Sequence, residues 1–232
     1  MGRQPTIIPV AGATTVRVTT QSGSVTVVGE DRSDVLVERG AEAVTSGAQG
    51  IEVVGRSGKV EVRCPAGTDV FVGTASGSIS LQGRLGQARV TTESGTIEID
   101  QVGGADARTA SGSIEVRSCD SACRCHSQSG DLRVGRAGSV DLATVSGGID
   151  ADAVGSATVH AGSGTVTLGV AEPGTVDVDA HSGSVTITVP KGQHPATDLH
   201  AASGAVRCDC APGTDGAVRV TTRSGSVTVT ER

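Results

Sequence analysis

Val72-Gly73-Thr74-Ala75-Ser76-Gly77-Ser78-Ile79-Ser80-Leu81 carries the pattern on which the whole chain is written. Val72, Ile79 and Leu81 alternate with small or polar residues on either side of a Ser-Gly pair. Alternation with period 2 is the mark of a strand with one face inward. The Gly can adopt the backbone conformation of a sharp bend, and the Ser can hydrogen-bond the local backbone. The ten residues therefore read as strand, bend, strand.

Working outward, Ser-Gly recurs at Ser22, Ser76, Ser94, Ser111, Ser129, Ser146, Ser163, Ser182, Ser203 and Ser224. From Ser76 the steps are 18, 17, 18, 17, 17, 19, 21 and 21 residues, and the gap from Ser22 to Ser76 is 54, three steps of 18. Aligned on the Ser, the third residue after it is Val25, Ile79, Ile97, Ile114, Leu132, Ile149, Val166, Val185, Val206 or Val227. The fifth after it and the fourth before it are apolar too, with Cys208 and Cys125 among them, and the second before it is Thr, Ser or Ala throughout. One such coil cannot bury its own inner face, so like strands of successive coils must pair in parallel. The prediction is an all-β fold, an elongated parallel β-solenoid of about 12 coils of 17–21 residues, two strands per coil, with Ser-Gly bends. Extra residues of the longer coils belong at the second bend, often marked by Gly or Pro as in Pro190-Lys191-Gly192.

Two stretches are expected within one continuous domain: irregular N-terminal coils over 1–62, and a regular solenoid over 63–232. Asp31-Arg32-Ser33-Asp34 and Glu38-Arg39-Gly40 suit a cap or hairpin over the first end. The other end, where the coil of Ser224 runs to Thr230, reads as bare, and bare strand edges pair with other edges unless blocked.

Composition narrows function. The chain has one Phe, no Trp and no Tyr, and a net charge of −6 with acids and bases interspersed. Nucleic acid as a partner calls for a basic stripe and aromatic platforms, and both are missing from the sequence. No run of ~20 apolar residues offers a membrane-spanning helix, and Met1 to Thr20, with Pro5 and Pro9, has no long apolar segment of the secretory kind. As written, the sequence predicts a cytoplasmic protein, or an envelope-associated one if a leader lies outside it. Ten Ser-Gly copies at bends are structural, and a nucleophile elbow would need a helix after its strand, so no enzyme is predicted. The column four after Ser is broken by Glu98, Glu115, Arg133, Asp150 and Arg207, which rules out a flat Thr ladder of the ice-binding kind.

The units at 22–27 and 224–229 (Ser-Gly-Ser-Val-Thr-Val), with Pro65-Ala66-Gly67-Thr68-Asp69-Val70 leading into Thr74–Ile79, make nearly the whole chain resemble the bacterial putative-adhesin family, a β-strand-repeat domain of unknown function. The resemblance implies the repeat fold and an envelope-attached binding module, and it implies no catalytic residues.

Six cysteines stand at 64, 119, 123, 125, 208 and 210. Reduced thiols of core and turn are the expectation, with a Cys119–Cys123 bridge as the disulfide alternative. Register places His160, Asp179 and His200 in one outward column on consecutive coils, with Asp177 and Asp198 two residues earlier and His181 two after Asp179. These six are the candidate metal ligands, an outward patch whose imidazoles and carboxylates could take Zn²⁺ or a similar divalent ion; no other cofactor is expected. The functional reading is a non-enzymatic scaffold or interaction protein that binds a protein partner or itself. An adhesin-like envelope module and a divalent-metal-binding protein are the alternatives.

The columns predict that Ile97→Asp, which buries an unpaired charge between the sheets, unfolds the middle coils. A circular-dichroism melt like that of the wild type would show the register to be wrong.

Overall fold

The computed structural model describes residues 5–9, 15–47 and 50–232; residues 1–4 and 10–14 of the N-terminal stretch, and 48–49, lie outside the described residues. The chain is a parallel β-solenoid, and among the described residues there is no helix. Its residues fall into two compact units, 1–120 and 121–232. Within each, a strand ends on Ser, the Gly turns, and the next strand begins on the column three after Ser. Ile79–Ser94 and Ile97–Ser111, for example, run side by side with Ile79 against Ile97, Val90 against Ala107 and Ser94 against Ser111. The pairing slips between Ile99 and Gln101, which makes the second corner of the coil.

The core is aliphatic and narrow. Val16, Val25, Val27, Ile79, Ile97, Leu132, Leu142, Val166 and Leu168 are wholly inaccessible. Leu85, Val102, Ala137 and Val154, eight or nine residues after their Ser, add a buried column at the second corner. Beside the bend the coil narrows to Thr20, Thr74, Thr92, Thr109, Ser127, Thr144 and Thr222, all buried. The Thr20 hydroxyl donates to the Ser22 carbonyl at 3.4 Å, whereas the hydroxyls of Thr92, Thr109 and Thr222 have no hydrogen-bond partner among the described residues. Phe71 lies outside this core and is covered by the Arg17 guanidinium, 5.1 Å from the ring centre, a cation–π contact.

Coils do not stack in sequence order. In the first unit the strand Thr15–Ser22 lies between Gly50–Val54 and Asp69–Ser76, and Val25–Glu30 lies between Val60–Pro65 and the start of Ile79–Ser94. The gap of 54 residues therefore holds one coil, turning at Ser57-Gly58, with Ile51, Val53, Val60 and Val62 buried in the usual columns. Antiparallel strands account for the rest of that gap. Asp34–Arg39 pairs with Val60–Pro65 on one side and Thr6–Pro9 on the other, and Ala43–Gly47 pairs with Gly50–Val54. This cap is tied by ion pairs: Arg63 to Glu30 and Glu38 at 3.0 and 2.8 Å, Arg32 to Asp34 at 2.7 Å, and Arg39 to Glu61 at 2.5 Å. A hydrogen bond from Lys59, helped by the charge of Arg39, holds the Glu61 carboxyl below its ordinary range against the opposing effect of burial.

In the second unit the strand Ala217–Ser224 inserts between Thr175–Ser182 and Ala196–Ala201, and Val227–Glu231 inserts between Val185–Val189 and Val206–Cys208. The expectation that the coil of Ser224 forms a bare end is thus corrected. The end coil of this stack is that of Ser203. Prolonged connections over 190–195 and 209–216 make the skip possible, since a loop at the second bend can pass over one neighbouring strand.

Bend glycines carry the closest contacts between coils. Gly95, at φ 147°, donates to the Ser111 carbonyl at 3.0 Å, and a Cβ on it would lie 2.2 Å from the Gly77 oxygen. Gly73, on a strand, has open space around its missing Cβ. Gly95→Ala is expected to cost on the order of 3 kcal/mol through strain and collision with backbone, while Gly73→Ala stays within about 0.5 kcal/mol of wild type. Urea unfolding followed by circular dichroism would measure both.

Candidate functional site

Outward positions are where chemistry has to be sought, because the inner columns are filled. The stacking order decides what the His and Asp columns bring together. His160 stands beside Asp179, and Asp177 beside Thr158. The next strand is Ala217–Ser224, which sets Thr221 beside Asp179 and Arg219 beside Asp177. Only then come Asp198, paired with Arg219, and His200, paired with Thr221.

Consecutive placement of His160, Asp179 and His200 is therefore corrected, for the physical reason that another coil is inserted between the latter two. His160 and His200 lie three strand spacings apart, roughly 14 Å. A zinc–nitrogen bond is about 2 Å long, so one ion cannot bridge them. Arg219 reaches Asp177 at 3.9 Å and Asp198 at 3.6 Å, with its own positive charge between the two carboxylates. Asp198 in turn meets His200 at 3.5 Å. His181, exposed like His160 and His200, lies on the strand of Asp177 and Asp179. Among the described residues no three His, Cys, Asp or Glu side chains converge closely enough to hold a metal ion.

The cysteines divide by place. Cys64, Cys119, Cys123 and Cys125 are buried, with the Cys123 and Cys125 sulfurs 3.6 Å apart, and all six are free thiols. Burial pushes the Cys64 thiol up to about 11. Cys208 points inward but is exposed, because its coil ends the stack. Partial burial, with neighbouring Cys208, pushes the Cys210 thiol up to about 11, so it stays protonated near neutrality.

Sequence reasoning passed over a second surface. On the first unit, Ser80, Gln82, Glu98, Asp100, Glu115 and Arg117 line an open, polar cleft along the strands that follow the bends. Ile97 N–H donates to Ser113 O at 3.0 Å, the same one-coil step that joins Ile79 to Thr96, which aligns Glu98 with Glu115 on neighbouring strands. Like charges so placed oppose one another. Arg117 is engaged by Asp100 at 2.8 Å, and among the described residues neither glutamate has an ion-pair partner. The signal was present in the column four after Ser, where the two glutamates are consecutive.

Repeating coils, filled inner columns and charged outer columns define a parallel β-solenoid. A family model, Toastrack DUF4097, matches residues 6–167. The chain belongs to the Toastrack DUF4097 family. Crystal structures described as putative adhesins, from Parabacteroides distasonis and Bacteroides fragilis, are similar to it at 14% identity with a TM-score of 0.43, covering 99% and 98% of this chain and 96% of each of theirs. Another, described as a putative cell adhesion protein of Clostridium sporogenes, aligns over all of both chains at 9% identity with a TM-score of 0.26. No curated protein matches the chain. No helix among the described residues is long and apolar enough to cross a membrane.

Calorimetric titration with Zn²⁺ is expected to show no site that depends jointly on His160 and His200. A binding isotherm abolished by His160→Ala and by His200→Ala singly would contradict the observed stacking order of the coils.

Proposed function

We propose that this protein is a non-enzymatic interaction module that binds a protein partner through the outward faces of its coils, with the acidic cleft of the first unit as the primary contact. The observation that carries the reading is the pair Glu98 and Glu115, set side by side with no cation between them. Elsewhere several outward carboxylates are met by arginines of the chain, as by Arg89 and Arg108 on Asp106, Arg124 on Asp141 and Arg219 on Asp177 and Asp198. Two like charges left adjacent are complementary to a cation brought from outside. Parallel strands supply the rigidity, since the spacing of outer side chains is set by backbone hydrogen bonds and cannot collapse around a small substrate. An extended basic segment laid over the cleft can set a lysine against the two glutamates. The reading is the same for a scaffold in the cytoplasm and for an adhesin-like module held at the envelope, because the outward face does the binding in both.

An extended peptide of alternating Lys and Thr is the probe. It is expected to bind the wild type at low ionic strength, to weaken as salt is raised, and to lose at least about tenfold in affinity with Glu98→Lys/Glu115→Lys. Equal binding by the wild type and the variant, or none by either, would overturn the assignment of the cleft.

A further inference from the structure

The two units treat their end coils differently. In the first, the coil of Ser57 is covered by the antiparallel strands Asp34–Arg39 and Ala43–Gly47. In the second, among the described residues, no strand pairs with the far side of the coil of Ser203. Its inner columns show the consequence. Leu199 is half-buried, Val206 is 45% exposed and Cys208 is exposed, in positions that are closed in the other coils of the stack. Neither Ala196–Ala201 nor Val206–Cys208 contains a Pro, Lys or bulge of the kind that blocks an edge.

Hydrogen-bond parity specifies what this edge offers. Ala196 N–H donates to Gly216 O, and Ala202 N–H to Thr222 O. In a parallel strand the residues alternate in the side to which N–H and C=O point. The even-numbered residues of 196–202 thus face the stack, while Thr197, Leu199 and Ala201 face outward with both backbone groups. On the other strand Val227 N–H donates to Ala205 O and Asp209 N–H to Val229 O. There the odd-numbered residues face the stack, and Val206 and Cys208 face outward.

We propose that the occupant of this edge is a second copy of the same chain, docked end to end about a two-fold axis through Leu199 and Cys208. A two-fold axis reverses each strand, so the pairing is antiparallel and each residue meets its mirror in the register. Centred on Leu199, Leu199 pairs with Leu199 of the other copy and Thr197 with Ala201, all with outward backbone groups. The same register lays Asp198 of one copy beside His200 of the other, twice. Centring on Thr197 or Ala201 sets neither Asp198 nor His200 against the other, and centring on Asp198 or His200, which also pairs outward-facing residues, sets that residue against its own copy.

The second strand leads to the same axis independently. Cys208 lies as far after the Ser203-Gly204 bend as Leu199 lies before it. Centred on Cys208, the outward-facing residues again meet, and Arg207 of one copy lies beside Asp209 of the other, twice. Within one chain Arg207 and Asp209 already meet at 2.9 Å on the same face. The junction therefore covers Leu199 and Cys208 with their own copies and Val206 with Cys210 of the other chain, and brings Asp198 to His200 and Arg207 to Asp209 on the outer faces. This goes beyond the cleft reading, since the cleft is lined by residues of the first unit and the junction uses residues of the second.

Three measurements test the junction. Size-exclusion chromatography with light scattering and refractive-index detection is expected to show a species of twice the 22.9 kDa chain mass. Arg207→Asp sets four acids around the axis and is expected to raise the dimer dissociation constant about tenfold or more, while Arg207→Asp/Asp209→Arg restores it. In a Cys210→Ser background, dibromobimane is expected to link Cys208 to Cys208, because directly paired antiparallel residues lie about 5.5 Å apart at Cα. A monomer at all concentrations, or a dimer that ignores the Arg207 exchange and gives no Cys208 link, would overturn the proposal. Retained binding of the basic peptide by such a variant would show that its failure is separate from any failure of the cleft.

Discussion

Backbone meets backbone at the Ser-Gly bend with no room for a Cβ, and the rest of the fold follows from that contact. Along most of a coil the side chains keep neighbouring strands in step, and a small error could be absorbed by a rotamer change. At the bend nothing is adjustable. The Gly77 oxygen, which sits where a Cβ of Gly95 would be, and the bond from Gly95 N–H to Ser111 O fix the vertical position of one bend against the next. Once the bends are stacked, the columns on either side are in register, and the aliphatic residues fall on one another without further choice. This is how a chain with one Phe and no Trp or Tyr builds a core. The interior is thin enough for Val, Ile and Leu to fill it, with Thr where it narrows beside the bend.

Most of this was legible in the primary structure, because a column is a statement about one coil and repeats in every coil. Ile97, Leu132 and Val166 are buried where the alignment places them. The order of stacking was not legible in the same way. Periodicity says that a strand pairs with a strand of the same phase, and every coil has the same phase. Ser224 can sit beside Ser182 as well as Ser203 can. What separates them is the quality of their inner residues. The coil of Ser224 brings Val218, Val220, Val227 and Val229, whereas that of Ser203 brings Thr197, Leu199, Val206 and Cys208. The better aliphatic set is worth more with a sheet on both sides, and the weaker set is left at the end. The two 21-residue steps that bracket Ser203 are the length required for the chain to go out and return.

The same rule operates near the N-terminus, with a different outcome. The coil of Ser22, with Val16, Val18, Val25 and Val27, is interior, and the coil of Ser57 is placed outside it. There the inner set is good, with Ile51, Val53, Val60 and Val62 all buried, because antiparallel strands cover it. Those strands break the Ser-Gly period, which is why the 54-residue gap resists division into coils of 18. Its acidic and basic residues, Glu30, Arg32, Glu38, Arg39, Glu61 and Arg63, tie the cap together across strands that the repeat leaves unpartnered.

Stacking order also decides the electrostatics of the outer face, and hence which surface is available for binding. If the coils followed sequence, Asp177 and Asp198 would be neighbours and would repel, with His160, Asp179 and His200 in line beside them. Inserting the coil of Ser224 puts Arg219 between the two carboxylates and turns a column of like charge into an alternating one. In the first unit the coils around Glu98 and Glu115 do follow sequence, with Ile97 N–H bonded to Ser113 O and no strand interposed, so the like charges stay adjacent. A repulsion that could have been relieved by one exchange of a glutamate for a neutral residue, in a repeat that tolerates Ser80 and Thr26 in the same column, is a cost to the isolated chain. A cation lying between the two side chains would offset that cost, which is the physical ground for proposing the binding face there.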